Sequence, residues 1–109
     1  HSLKPQNSSV FSMRRKLSYN GLLSIYVVIG QNYRLLSSPT IISPGVYDAN
    51  EDKDLHNLVM NEIVMAINET KYDGYSTNEL EKNIKSAIKY LLKETIGKAP
   101  IMYVKVDMV

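Results

Sequence analysis

Four lysines, Lys82, Lys85, Lys89 and Lys93, recur at a spacing that places them on one narrow arc of a helix, a ridge of ammonium groups able to follow a phosphate backbone. Arg14, Arg15 and Lys16 supply three more cations near the N-terminus, and together these seven residues are the candidate RNA contacts. The plainer reading of the ridge is a solvated helix face, with Glu81 placed to pair with Lys85. No aromatic residue interleaves the ridge, and no RNA-binding signature accompanies it. Asp48, Glu51, Asp52 and Asp54 resemble a cation-binding set only superficially, because the oxygen spacing, central glycine and closing glutamate of a calcium loop are missing. The partial positive charge of a helix start already explains them. His1 and His56 are the two histidines and no cysteine joins them, so neither a histidine-rich zinc site nor a thiolate site can be built from this sequence. His56 reads as an exposed helix residue with no serine or cysteine nucleophile pattern beside it. The glycines, Gly21, Gly30, Gly45, Gly74 and Gly97, fall at separate turns and form no phosphate loop. Asn68-Glu69-Thr70 matches a glycosylation sequon, which is taken as chance at a helix end in a chain without a secretory signal. No catalytic residue, metal ligand or cofactor site is expected within this chain.

The elements that carry these residues follow from periodicity. Residues 1–13 are polar and aperiodic and read as a flexible arm or linker; the fold is expected over residues 14–109 as a single domain. Leu23, Ile25, Val27 and Ile29 fall on one side of a strand running from Leu22 to Ile29. Gly30-Gln31-Asn32 predicts a turn, and residues 33–43 a returning strand interrupted by Pro39, hence an edge or a bulge. Val46-Tyr47 reads as a short apolar anchor beyond Pro44-Gly45. Asn50 is the expected cap of a first helix over about 51–69, whose apolar positions are Leu55, Leu58, Val59, Ile63, Ala66 and Ile67, with a break at Tyr72-Asp73-Gly74. Ser76 and Glu79 form a capping box for a second helix, with Tyr75 and Leu80 as its hydrophobic staple. Leu80, Ile84, Ala87, Ile88, Leu91 and Leu92 form its buried stripe, and Gly97 followed by Pro100 ends it. A last strand alternates Met102, Val104, Val106 and Met108 against Tyr103, Lys105 and Asp107.

The order strand, strand, helix, helix, strand predicts an α+β fold, a three-stranded sheet with two helices packed on one face. The other face then presents Ser24, Tyr26, Val28, Tyr103 and Lys105. An open sheet face bearing aromatics is first a protein-packing surface, so Tyr26, Val28, Tyr103 and Lys105 are the candidate protein interface.

At 109 residues and 44% hydrophobic content the chain can bury one core without staples. The absence of cysteine excludes disulfides and thiolate chemistry and suits a reducing, cytoplasmic setting. No apolar run is long enough to cross a bilayer, so no membrane partner is expected. The net charge of +2 hides an uneven distribution: residues 1–20 carry four bases and no acid, whereas residues 51–70 carry one lysine against five acids. That is not the pattern of a uniformly basic nucleic-acid binder. The first residue is His rather than Met, which reads as an excised fragment of something larger.

The run Arg14-Arg15-Lys16-Leu17-Ser18-Tyr19-Asn20-Gly21, the apolar strand, Pro39-Thr40-Ile41-Ile42-Ser43, two helices, and then Lys93-Glu94-Thr95 with Pro100-Ile101-Met102 before a terminal strand resembles the C-terminal domain of bacterial ribonuclease J over residues 14–109. The resemblance implies a parent of the metallo-β-lactamase and β-CASP type, a zinc-dependent ribonuclease acting as a 5′-to-3′ exonuclease and an endonuclease in RNA maturation and decay. Its zinc and its metal-binding motifs belong to an upstream catalytic part with no counterpart here. The domain itself is implied to be a non-catalytic α+β module that supports dimerisation or other subunit association, and full activity. Its expected partners are another subunit or the parent's catalytic core, with RNA reached through the parent. The family tends to carry an arginine and a glycine after its second strand, where this chain has Pro44-Gly45-Val46-Tyr47, so no charge contact of that arginine is carried over.

Overall fold

The computed structural model describes residues 19–74 and 76–109. Arg14, Arg15, Lys16, the segment read as an arm and Tyr75 of the expected staple lie outside them. The fold is α+β, with strand β1 (Leu22–Ile29), strand β2 (Thr40–Ile42), helix α1 (Lys53–Asp73), helix α2 (Thr77–Ile96) and strand β3 (Ile101–Met108). The sheet order is β2-β1-β3, with β1 antiparallel to β2 and parallel to β3. A parallel return needs a long crossover, and the two helices supply it.

Strand β1 reads as a strand because β-branched and aromatic residues alternate between a fully buried side and a wet one. Leu23, Ile25, Val27 and Ile29 are completely buried, while Tyr26 is exposed and Ser24 and Val28 are half-buried. The buried side meets Val59, Ile63 and Ile67 of α1 and Leu80, Ile84, Ile88 and Leu92 of α2 in one cluster, joined by Met102 and Val106 of β3. Each of these large side chains contributes roughly 1.5–3 kcal/mol by leaving water. Thr70, the buried polar residue of this layer, donates its hydroxyl to the Ala66 carbonyl at 2.8 Å and so carries no unpaired group inside.

Both helix ends are chemically closed. Ser76 accepts from the Glu79 N–H at 3.3 Å, and Gly97, at φ +67°, ends α2 with the Lys98 N–H reaching back to the Leu92 carbonyl. The first helix differs from expectation at its start. Asp52, not Asn50, is its cap, accepting from the Leu55 N–H at 3.0 Å. Asp48 has folded the preceding residues into a turn by accepting from the Asn50 and Glu51 N–H groups, which moves the helix start onward. The helix also continues past residue 69 to Asp73, because Gly74 rather than Tyr72 supplies the left-handed cap. Leu58 faces solvent at 45% exposure, one position off the stripe that Leu55, Val59 and Ile63 define.

The returning strand is shorter than expected, three residues instead of eleven. Tyr33 sits at φ +59° in the turn that follows β1, Leu35 makes an isolated bridge to Ile29, and the chain then leaves the sheet until Thr40. Pro39 has no N–H to offer a ladder, so regular pairing resumes only after it.

Candidate functional site

The open side of the sheet is laid out by register. Ser24 aligns with Ile42 and Tyr103, Tyr26 with Thr40 and Lys105, and Val28 with Asp107. Neither helix covers this side, and Ile42, Tyr26 and Tyr103 remain 57%, 41% and 63% exposed. The candidate interface residues Tyr26, Val28, Tyr103 and Lys105 are therefore brought onto one surface. Asp107 organises it: the Tyr26 hydroxyl donates to Asp107 Oδ2 at 2.7 Å, and Lys105 Nζ stands 3.7 Å from Oδ1. The hydrogen bond to that carboxylate, with lesser help from desolvation and its charge, pushes the Tyr26 phenol above its ordinary pKa and keeps it a donor. Sequence reasoning placed Asp107 on this face without giving it a role; the signal was a lysine and an aspartate two residues apart on one side of a strand.

A second cluster gathers the residues around Asn20-Gly21. The Ala99 N–H donates to Asn20 Oδ1 at 3.0 Å and the Ile101 N–H to the Gly21 carbonyl at 3.1 Å. The Leu22 N–H donates to the Pro44 carbonyl at 3.0 Å, and Lys98 Nζ to the Gly45 carbonyl at 2.6 Å. Three chain segments thus meet at the start of the sheet. Gly21 has φ +82°, and a Cβ there would lie 2.5 Å from the Pro44 oxygen and 2.6 Å from the Gly45 carbonyl carbon, so glycine is demanded twice over.

Lys82, Lys85, Lys89 and Lys93 are all exposed along α2. The expected pairing of Glu81 with Lys85 does not form: Glu81 Oε2 instead accepts from the Val106 N–H of β3 at 2.8 Å. Among the described residues the single ion pair is Lys105 with Asp107. His56 is half-buried rather than exposed, with Nδ1 2.9 Å from the Tyr47 hydroxyl. Burial, then the nearby charge of Asp52, pushes the Tyr47 phenol up to about 12. This pair fastens the loop carrying Val46 and Tyr47 to α1. Asn68 of the chance sequon lies within α1, and Thr70 is buried.

A family model described as the ribonuclease J C-terminal domain matches residues 9–107. The chain belongs to the ribonuclease J C-terminal domain family. The match begins within the segment read as an arm and takes in all the described strands and helices up to Asp107 of β3, so the junction at Asn20-Gly21, the open face and the lysine arc all lie inside the family domain. Comparison with curated proteins returned no match. Among the described residues no three His, Cys, Asp or Glu side chains converge to hold a metal ion, so they do not fit the zinc of a ribonuclease J catalytic centre, and no step through zinc is derived for this domain. Among the same residues no helix is long and apolar enough to cross a membrane.

Proposed function

We propose that this domain is the non-catalytic C-terminal part of a ribonuclease J-like RNA-processing and RNA-degrading enzyme, and that it assembles or positions the parent by packing its open sheet face against another subunit or the catalytic core. The parent is then a zinc-dependent hydrolase, a nuclease whose metal is held elsewhere. The observation that carries the reading is a sheet face that no described helix covers, on which aromatic rings stand exposed while their polar neighbours already satisfy one another. Tyr26, Asp107 and Lys105 form a closed set, so covering them buries no lone charge, and the Tyr103 and Ile42 side chains supply apolar area.

Sedimentation equilibrium of the chain over a broad concentration range tests the proposal. Weak self-association, seen at the high-concentration end and lost in the Tyr26→Ser/Tyr103→Ser double variant with the far-ultraviolet circular dichroism unchanged, is the expected result. Association undiminished by both changes would remove the face from the mechanism. A chain that stays monomeric throughout directs the same comparison to the parent's catalytic part as partner.

The exposed lysine arc supports a second reading, direct contact with RNA phosphates through Lys82, Lys85, Lys89 and Lys93. It requires an affinity for single-stranded RNA that falls steeply with salt. Absence of binding at low salt removes it.

A further inference from the structure

Hydrogen-bond parity shows which edge of the sheet is unfinished. The Ile101 and Val109 N–H groups donate to the Gly21 and Ile29 carbonyls, so the odd-numbered residues of β3 point their backbone groups toward β1. Strand β1 directs its even-numbered residues the other way, the Leu22 N–H to Pro44 and the Val28 carbonyl to the Leu36 N–H. Met102, Val104 and Val106 therefore aim their N–H and C=O groups outward, away from the sheet. Among the described residues Glu81 is the side chain that reaches this edge, and it occupies the Val106 N–H alone. An edge that the described residues blunt at one end and leave regular at the other is an opening for one more strand.

Beside the unblunted stretch run two hollows of about 320 and 270 Å³ that share Lys85 and Met102. Lys82 and Lys85 line the first with Tyr103, Val104 and Glu81, whose carboxylate is engaged by the Val106 N–H, and Lys85 and Lys89 line the second with Pro100 and Ile101. We propose that the outer edge of β3 from Met102 to Val104 takes up an extended acidic peptide as a fourth strand.

Side chains of an added strand alternate between the two sides of the sheet. Those on the helix side meet Lys82, Lys85 and Lys89, which calls for carboxylates; those on the open side lie beside Tyr103, which calls for apolar groups. The occupant is thus a segment of about five residues alternating acid and apolar, long enough at roughly 3.3 Å per residue to pass both Met102 and Val104. The chain's own first twenty residues do not qualify, because they carry Lys4, Arg14, Arg15 and Lys16 and no acid. An RNA strand would neutralise the same lysines but would leave the alternating N–H and C=O groups of the edge without matched partners.

The test is nuclear magnetic resonance of the ¹⁵N-labelled chain titrated with an end-blocked Glu-Val-Glu-Val-Glu peptide. The comparators are its Lys-Val analogue, a version N-methylated at alternate positions, and a short single-stranded RNA. Expected is a localised shift of the Met102 and Val104 amides with hydrogen exchange slowed about tenfold or more, absent with both modified peptides. The Lys85→Glu/Lys89→Glu variant should bind the acidic peptide about tenfold more weakly. The two surfaces share Tyr103, but Tyr26 lines neither hollow, so Tyr26→Ser should weaken assembly and leave peptide binding unchanged. Peptide binding that survives N-methylation, or that moves the lysine signals without protecting Met102 and Val104, would overturn strand addition. So would no binding, or occupation of the lysines by RNA alone.

Discussion

Replacing Gly21 by alanine isolates the physics that joins β1 to the rest of the sheet, because Gly74 offers the same substitution without the crowding. Both glycines have positive φ, +82° and +71°, and an alanine at either adopts a left-handed conformation that costs about 1–2 kcal/mol. The loss of unfolded-state freedom returns roughly 0.4–1 kcal/mol at each site. At Gly74 nothing lies within 4 Å of the new Cβ, so the net loss there is about 1 kcal/mol. At Gly21 the Cβ meets Pro44 and Gly45 backbone atoms at 2.5 and 2.6 Å, and backbone cannot swing aside as a flexible side chain can. Relief requires moving the loop whose Pro44 carbonyl accepts from Leu22 and whose Gly45 carbonyl accepts from Lys98. Overpacking of this kind adds about 1–3 kcal/mol, which puts Gly21→Ala near 3 kcal/mol in all. For a domain of this size that corresponds to a fall in Tm of roughly 12–24 °C, against roughly 4–8 °C for Gly74→Ala. Urea unfolding followed by circular dichroism measures both, with unchanged m-values as the check that the two-state comparison holds. Equal losses in the two variants would refute the close-approach argument and leave only the conformational cost.

Two further perturbations test single contacts. Tyr47→Phe removes the hydroxyl that meets His56 Nδ1 and should cost about 1 kcal/mol in the same urea assay. It should also delete the tyrosine that titrates near 12: because the folded pKa lies above the ordinary 10, the stability that the neutral phenol contributes is complete below pH 10 and is lost as pH rises through about 12, so alkaline unfolding in that window should be less steep in the variant. Glu81→Ala strips the acceptor from the Val106 N–H and should cost about 1–2 kcal/mol and speed hydrogen exchange at Val106; Glu81→Gln, which keeps an acceptor oxygen, should recover most of both, and equal exchange in all three would show the contact to be idle.

What the sequence made legible was what a local period or a local cap specifies without a rival choice nearby. The alternation over Leu22–Ile29 and Ile101–Met108 fixes which side of the sheet is buried, and Ser76, Glu79 and Gly97 bound α2 because capping acts within a few residues. Errors arose where two local choices were chemically equivalent. Asn50 and Asp52 are both good caps, and only the turn made by Asp48 selects the second. Leu58 and Val59 both fit a helical stripe, and the packing of α1 on β1 decides between them. The candidate surface was legible as a face but not as a network, since Tyr26 and Asp107 are 81 residues apart and meet only because β3 is parallel to β1 in one particular register. Glu81 shows the same limit from the other side: helical spacing offered it Lys85, while the tertiary fold offered it an unpaired backbone N–H, a stronger claim on a carboxylate than an exposed ammonium in water.

The size of the open face bears on how the domain works. Eight residues of β1 extend roughly 26 Å and three strands cover roughly 14 Å across, a footprint of about 370 Å² that two copies would double to about 750 Å². Stable complexes bury about 1,200–2,000 Å² in total, so this face alone fits the weak class. Strand β2, with only three residues, makes the true area smaller still. The proposed assembly through this face would therefore need additional contacts from elsewhere in the proposed parent, where tethering would raise the effective concentration of the partner surface. The β3 edge is the opposite kind of surface: in the proposed strand addition its directional backbone groups would set register over a short length, with the lysines of α2 beside them. Under both proposals, a face that packs only weakly releases Tyr103 readily, so the outer edge of β3 can take an acidic strand in its turn.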